Sequence, residues 1–415
     1  MPTNHQVSDL LQVMEISRNL AINQDLQSLL KQIENAAINI INCERATVFV
    51  YDNKKHELFS YVHHRKDSLR ISANQGIVGA CFKTGVICNI KDAYSDPRFN
   101  RKIDQITGFK TRSILAYPMY GLNQSILGVL EVLNKTSGIF DAWDETLIKT
   151  LAAQSGVVIH RQFLTEQALE KQRIQRDLDL ARQIQINLLP KKAPEINGFD
   201  IAGWSLPAEE TGGDFYNFQN LSNGKLLLSI ADVAGHGIGS ALLAAETTAI
   251  IRSVFSLETE ILSGLNHVNR LLSENIPDNY FVTAFIGALD VKQAIFEFVS
   301  AGHGPILLIR NKENAAQSLP IEGLPLGVIS DKNYKQLESI QLFSGDMLLV
   351  VTDGFYEWEN IHGNDFGIDR VTNLALNNRH LSAKALIESL YSELLIHAKE
   401  TQQPDDLTAL VIKKH

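Results

Sequence analysis

Four times in the second half of the chain an apolar run meets an aspartate beside glycine or a turn: Gly212-Gly213-Asp214-Phe215-Tyr216, Ile230-Ala231-Asp232-Val233-Ala234-Gly235-His236-Gly237, Val350-Val351-Thr352-Asp353-Gly354 and Pro404-Asp405-Asp406-Leu407-Thr408. Strand ends are rigid, and glycine lets another group approach the backbone, so an aspartate placed there is ready to reach a shared site. A single one is an ordinary turn former. Four in one region point to convergence, and converging carboxylates need a compensating cation. With neither cysteine nor clustered histidine among them, the donor set favours oxygen-loving magnesium or manganese over zinc or copper. Two such ions about 4 Å apart would neutralise the carboxylates, activate a water and orient a phosphoryl group for in-line attack.

At 415 residues the chain exceeds one hydrophobic core, and its 45% hydrophobic and 20% charged residues are those of a globular protein. A net charge of -9 without a block of Lys and Arg argues against nucleic-acid binding. Cys43, Cys81 and Cys88 form no CxxC pair, which suggests buried thiols in a reducing compartment. No leader pattern opens the sequence and no apolar run approaches the roughly 18 residues of a membrane span, so the expected location is cytoplasmic, with no membrane partner.

Residues 1–24 read as a helical segment, 25–163 as a sensory domain, 164–190 as a linker helix and 191–415 as a second domain. In the sensory part, helical spacing to Ile41 leads into the β-branched run 46–51. Strand runs follow at 113–117 and 126–133, then a helical pattern from Asp144 to about Phe163. The linker carries Ile174, Leu178, Ala181 and Leu188 on an apolar seam interrupted by Lys171 and Gln185. That pattern supports either a short coiled coil or a solvated linker helix, and Pro190 stops it. Beyond it, strand runs at 225–231, 281–289, 294–299, 305–309, 346–351 and 407–412 often follow one another with no helix between. The class is therefore α/β (α+β), and a mixed sandwich fits better than a doubly wound sheet.

Over about residues 183–412 the four aspartate motifs, with Ser300-Ala301-Gly302-His303 and Leu324-Pro325-Leu326-Gly327 between them, resemble the PPM family of metal-dependent serine/threonine phosphatases, in its bacterial SpoIIE/RsbU-like branch. The resemblance implies an α/β-β/α sandwich and a site holding two Mn2+ or Mg2+ ions. In it Asp214 serves one ion, Asp232 bridges both, the Val233 carbonyl completes part of the shell, and Asp353 and Asp405 serve the other ion. The pattern favours Asp405 over its neighbour, and Asp406 stays open. Asn217 stands where this branch often carries a carboxylate, and the segment before Asp214 offers no arginine for phosphate. His236 and His303 lie in Gly-His-Gly turns, with a structural hydrogen bond favoured over proton donation.

Asn134-Lys135, Phe140, Asp144-Glu145, together with Asp96-Pro97-Arg98-Phe99-Asn100, Asp104 and residues 107–112, resemble GAF domains of the cyclic-nucleotide-binding subgroup. Lys135 and Asp144 could pair to lock the last strand to the last helix. The ligand implied is cAMP or cGMP, with another small molecule or a purely structural domain as alternatives. Cys81 and Cys88 make no bilin attachment motif.

Together these resemblances imply a protein-serine/threonine phosphatase under a GAF sensor. Its expected substrate is a phosphorylated anti-sigma-factor antagonist in a partner-switching pathway, and its expected unit is a homodimer. A diguanylate cyclase lacks any use for the three later aspartates, and a cyclic-nucleotide hydrolase would need a His-Asp cluster. A silent binding scaffold would have no need of all four aspartates.

Overall fold

The β-branched run at 46–51 lies in the centre of strand β1 (Cys43–Asp52), where side chains alternate between two apolar layers. The computed structural model describes residues 9, 11–13, 25–61, 69–277, 279–313 and 315–415, so most of the helical segment expected at 1–24 lies outside the described residues. Two units divide the chain, Met1–Arg173 and Ile174–His415.

In the first unit, helix α1 (Leu26–Ile41) starts at Asp25, whose side chain accepts from the Ser28 amide at 3.0 Å. It precedes β1, β2 (Glu57–Ser60), β3 (Leu69–Ser72), α2 (Gly76–Thr84), β4 (Cys88–Ile90), α3 (Arg101–Thr107), β5 (Ile114–Tyr120) and β6 (Ile126–Lys135). The strands form one antiparallel sheet in the order β3-β2-β1-β6-β5-β4. One face is covered by α1, through Leu30, Ile33, Ala37 and Ile41, and by the start of α4 (Ala142–Leu188), through Ile148, Leu151 and Ile159. The other face packs on α2 and the segments around Ala93 and Phe109. Cys81 and Cys88 are buried free thiols on that second face, and Cys43 is one on the first. Beside the second face lies a cavity of about 320 Å3 lined by Arg45, Phe49, Phe99, Phe109 and Glu131 among others. Lys135 Nζ reaches Asp144 Oδ1 at 2.6 Å and the Ile41 carbonyl at 2.7 Å, joining β6, α4 and α1 at one buried point.

No break separates the expected linker from the helix before it, since α4 runs for 47 residues. Within its last turns Leu178, Ala181, Gln185 and Leu188 are half-buried, whereas Ile174 is exposed. Most of the apolar seam read from the sequence is thus partly covered, and the helix end is tied to the second unit through the Gln185 side chain and the Leu188 carbonyl.

The second unit contains β7 (Phe199–Leu206), β8 (Phe215–Asn220), β9 (Leu226–Val233), α5 (Ile238–Leu257), α6 (Ile261–Asn275), β10 (Val282–Asp290), β11 (Ile295–Ala301), β12 (Ile306–Arg310), β13 (Ala315–Ser318), β14 (Glu338–Gln341), β15 (Met347–Val351), α7 (Gly354–Glu357), α8 (Ile368–Asn377), α9 (Ala383–Ala398) and β16 (Leu407–Lys414). Two five-stranded sheets form, β14-β11-β10-β9-β8 and β13-β12-β15-β16-β7. Their inner faces meet through Ile201, Ile230, Phe285, Phe298, Leu308, Val350 and Leu410. Outside, α5 and α6 cover the first sheet and α8 and α9 the second, giving the α/β-β/α sandwich. Helix α5 is long and apolar enough by composition to cross a membrane, yet half of it is buried in this core.

Removing one partner of a buried ion pair strands the other, so Lys135→Ala, which leaves Asp144 only 4% exposed and uncompensated, should cost the first unit about 3 kcal/mol in urea unfolding. A paired Lys135→Met, Asp144→Leu variant should lose less than the single change.

Candidate active site

Each sheet delivers two of the aspartates by the same device. Strands β8 and β9 are antiparallel with Phe215 opposite Ala231, so Asp214, just before β8, lies beside Asp232 near the end of β9. Strands β15 and β16 repeat this with Val351 opposite Ala409, which sets Asp353 beside the 405–406 pair. The two pairs of strand ends then meet across the sandwich. Thr352 Oγ1 donates to Asp214 Oδ2 at 2.7 Å, and the Asp214 amide donates to Asp406 Oδ2 at 3.2 Å. Gly213 faces the Val233 carbonyl, where an added Cβ would stand 2.8 Å from the oxygen, so the position leaves no room for a side chain.

The electrostatics follow from this crowding. Burial, then repulsion from Asp232 and Asp406, pushes the Asp214 carboxyl well above the usual range. Asp232 is pushed up to about 7 by burial and by Asp353, Asp405 and Asp406, and Asp353 is raised by burial and Asp405. Among the described residues no Lys or Arg forms an ion pair with any of the four candidate aspartates. Nor do three His, Cys, Asp or Glu side chains among them close a single metal-sized shell. An all-oxygen donor set, mutually repelling and without a protein cation, fits a pair of hard divalent ions and leaves places for carbonyls and water.

Asp405 and Asp406 have different surroundings. Asp406 is buried and spends both oxygens on backbone, with Oδ1 accepting from Ala208 at 2.8 Å and Oδ2 from Asp214. Asp405 is exposed, accepts from the Asp406 amide at 2.8 Å, and raises the pKa of Asp232 and Asp353. Sequence reasoning therefore missed what Asp406 does, which is to tie the Asp214 loop to β16.

The histidines also separate. His236 is largely exposed, with Nδ1 3.5 Å from Glu209. His303 is 3% exposed and burial pushes it down to about 4, so it is uncharged. Its Nδ1 lies 3.0 Å from Thr283 Oγ1, and Thr283 pairs with Asp232 across β10 and β9. Ser300 Oγ fixes the turn by donating to the His303 carbonyl and accepting from its amide. Two neighbours had no motif to reveal them. Tyr356 is pushed up to about 12 by burial, Asp353, Glu357 and Asp232, and Glu357 is raised by burial, Asp353, Asp365 and Asp405.

Asn217 is engaged elsewhere: it is buried and its Oδ1 accepts from Arg252 Nε at 2.9 Å, while Arg252 also donates to the Leu188 carbonyl at 2.6 Å. The end of α4 bears directly on the site. Gln185 donates to the Gly212 carbonyl and accepts from the Gly212 amide at 3.1 Å, two residues before Asp214. Beside Asp405 opens a small cavity of about 150 Å3, lined by Glu209, Thr211, Gly213 and Gly235 to Gly237 and containing no Lys or Arg.

The family described as Stage II sporulation protein E (SpoIIE) matches residues 222–415, and the GAF domain family matches residues 25–159. The first span holds Asp232, Asp353 and Asp405, and Asp214 lies just outside it. Phosphoserine phosphatase RsbU of Bacillus subtilis (strain 168) is 29% identical over 246 residues, 59% of this chain and 72% of that protein. The SiaA-PP2C domain of Pseudomonas aeruginosa superposes with a TM-score of 0.54 at 21% identity, over 60% of this chain and all of that domain, which gives the second unit a PP2C-type fold.

Because Asp406 is the acceptor for two amides, Asp406→Ala should destabilise the second unit by about 2–4 kcal/mol, and Asp406→Asn by less. Calorimetric Mn2+ titration should show weaker binding in the alanine variant, and unchanged affinity would mean that the Asp214 loop holds without it.

Proposed function

We propose, for a chain that carries a GAF domain followed by a SpoIIE-type phosphatase domain, that it is a metal-dependent protein phosphatase removing phosphate from phosphoserine or phosphothreonine of a protein. The observation that carries the reading is the meeting of four aspartates at one end of the sandwich without a protein cation, three of which, Asp214, Asp232 and Asp353, are raised by burial and by their acidic neighbours. Asp214, Asp232, the Val233 carbonyl, Asp353 and Asp405 would hold two Mg2+ or Mn2+ ions, which supply charge neutralisation for a phosphoryl group and activation of water. The chain's own part is positioning. Thr352 and Asp406 orient Asp214, Thr283 and His303 brace the strand pair at Asp232, and Gly213 keeps the Val233 carbonyl accessible. The likeness to a phosphoserine phosphatase supports the substrate class. A phosphorylated anti-sigma-factor antagonist in a cytoplasmic partner-switching pathway is the substrate we favour.

Regulation would enter through α4. The Gln185–Gly212 bracket makes the helix end a support of the Asp214 loop, so two helix arrangements separated by about 1–3 kcal/mol suffice for a switch. Exposed Leu164, Leu169, Ile174, Leu180 and Ile184 along the helix support a homodimer. The GAF cavity is large enough for a small ligand, and its aromatic and Arg45 groups suit a base and a phosphate. Glu131, lifted to about 7 by burial, could donate or accept a hydrogen bond near neutral pH. These features support cAMP or cGMP as the ligand.

In a Mn2+-dependent assay on a phosphoserine protein, Asp232→Asn should lower kcat/KM by at least about 100-fold, the several kcal/mol that a metal clamp supplies; equal rates would refute the enzyme. Calorimetric titration of the full chain with cAMP and with cGMP should show saturable binding of one, accompanied by a change in that rate. Heat from neither nucleotide would refute the cyclic-nucleotide reading.

A further inference from the structure

We infer that an exposed apolar surface beside the catalytic pocket is the docking site for the folded body of the phosphoprotein substrate. The inference rests on the phosphatase reading above and deepens it.

The surface starts where the pocket wall ends. Gly235, His236 and Gly237 line the pocket, and the next residue, Ile238, opens α5. Ile238 and Leu242, one turn apart on that helix, are 52% and 67% exposed. Against the same helix start lies Tyr280, whose hydroxyl would be 2.7 Å from a Cβ at Gly239. Phe281, also exposed, gives its carbonyl to the Ala234 amide at 2.9 Å, so it is anchored to the loop that follows Asp232 and Val233. A further backbone pair extends the surface: Val282 and Leu326 exchange hydrogen bonds of 3.0 and 2.8 Å, which sets the 324–328 segment beside Phe281. Leu324 and Val328 of that segment are 42% and 51% exposed. Exposed large apolar side chains thus stand on three chain segments that backbone contacts hold beside one another at the pocket mouth. Soluble surfaces rarely leave such a stretch without a use.

Charge decides what covers it. A phosphoprotein must cover the pocket mouth to place its phosphate, and this mouth carries Glu209 and Asp405 with no Lys or Arg. Neutral or attractive contact has to come from outside the acidic rim, and the adjoining apolar surface is the part able to provide it. The occupant it fits is a protein that presents an uncharged apolar face, such as an amphipathic helix, next to its phosphoserine. A short phosphopeptide or a small phosphate ester would reach the pocket without touching Leu242 or Val328.

The test uses the full chain with Mn2+ and three probes: p-nitrophenyl phosphate, a phosphorylated anti-sigma-factor antagonist, and a short peptide carrying the same phosphoserine. Leu242→Asp and, independently, Val328→Asp should each lower kcat/KM on the phosphoprotein by tenfold or more, mainly through KM. Rates on the ester and the peptide should stay within twofold, which also reports that each variant is folded. Equal rates of wild type and variants on the phosphoprotein, or equal losses on all three probes, would overturn the docking surface alone. A wild-type chain that hydrolyses the ester but no phosphoprotein would overturn the substrate reading, and the surface with it. Sedimentation supplies the remaining arm: if the variants change the oligomeric state, the surface is a contact between copies and the inference fails.

Discussion

Gathering carboxylates into a poorly solvated place is the constraint on which the second unit is organised. Asp214 is buried, Asp232 is half-buried, and the two are close enough to repel, an arrangement that is uphill unless rigid structure imposes it or cations relieve it. Two devices impose it. Antiparallel pairing brings strand ends together within each sheet, and the Thr352–Asp214 and Asp406–Asp214 bonds join the two sheets at that end. The inner apolar faces hold the sheets in register so that these bonds can form.

Much of this was legible in the sequence because the site is written as punctuation. An aspartate that interrupts a buried β-run beside glycine has few structural uses, and the runs ending at Asp232 and Asp353 were found almost to the residue. The strands Phe199–Leu206 and Phe215–Asn220 were not, since Asp200, Gly203, Asn217 and Gln219 blur any alternation, and both sit at sheet edges where burial is one-sided or partial. Asp406 looked redundant because its partners, Ala208 and Asp214, lie nearly two hundred residues away and donate from the backbone, which leaves no mark on side-chain pattern. Tyr356 and Glu357 share that obscurity, since only proximity in the fold couples them to the aspartates.

The first unit carries a different kind of signal. Lys135 and Asp144 are separated by nine residues, and their burial together at 2.6 Å makes their spacing a constraint on how β6 turns into α4. The linker carries a weaker signal. Apolar residues at spacings of three, four and seven fit a short coiled coil and a linker helix alike, and here Leu178, Ala181 and Leu188 are half-buried within the chain. Gln185, an interruption in a coiled-coil seam, makes sense as the residue that brackets Gly212.

Because the candidate aspartates come in pairs from two sheets, the distance between the pairs is a property of the sandwich as a whole. Phe285, Phe296 and Phe298 pack together on one inner face with ring centroids 5.3 to 6.0 Å apart, and their bulk sets how far the sheets stand from one another. The site is thus tied to the filling between the sheets: a change of thickness deep in the core would be carried to the strand ends that bear Asp232 and Asp353 without touching either. A packed core of this kind therefore does more than stabilise: it sets the spacing at which the two pairs of strand ends face one another.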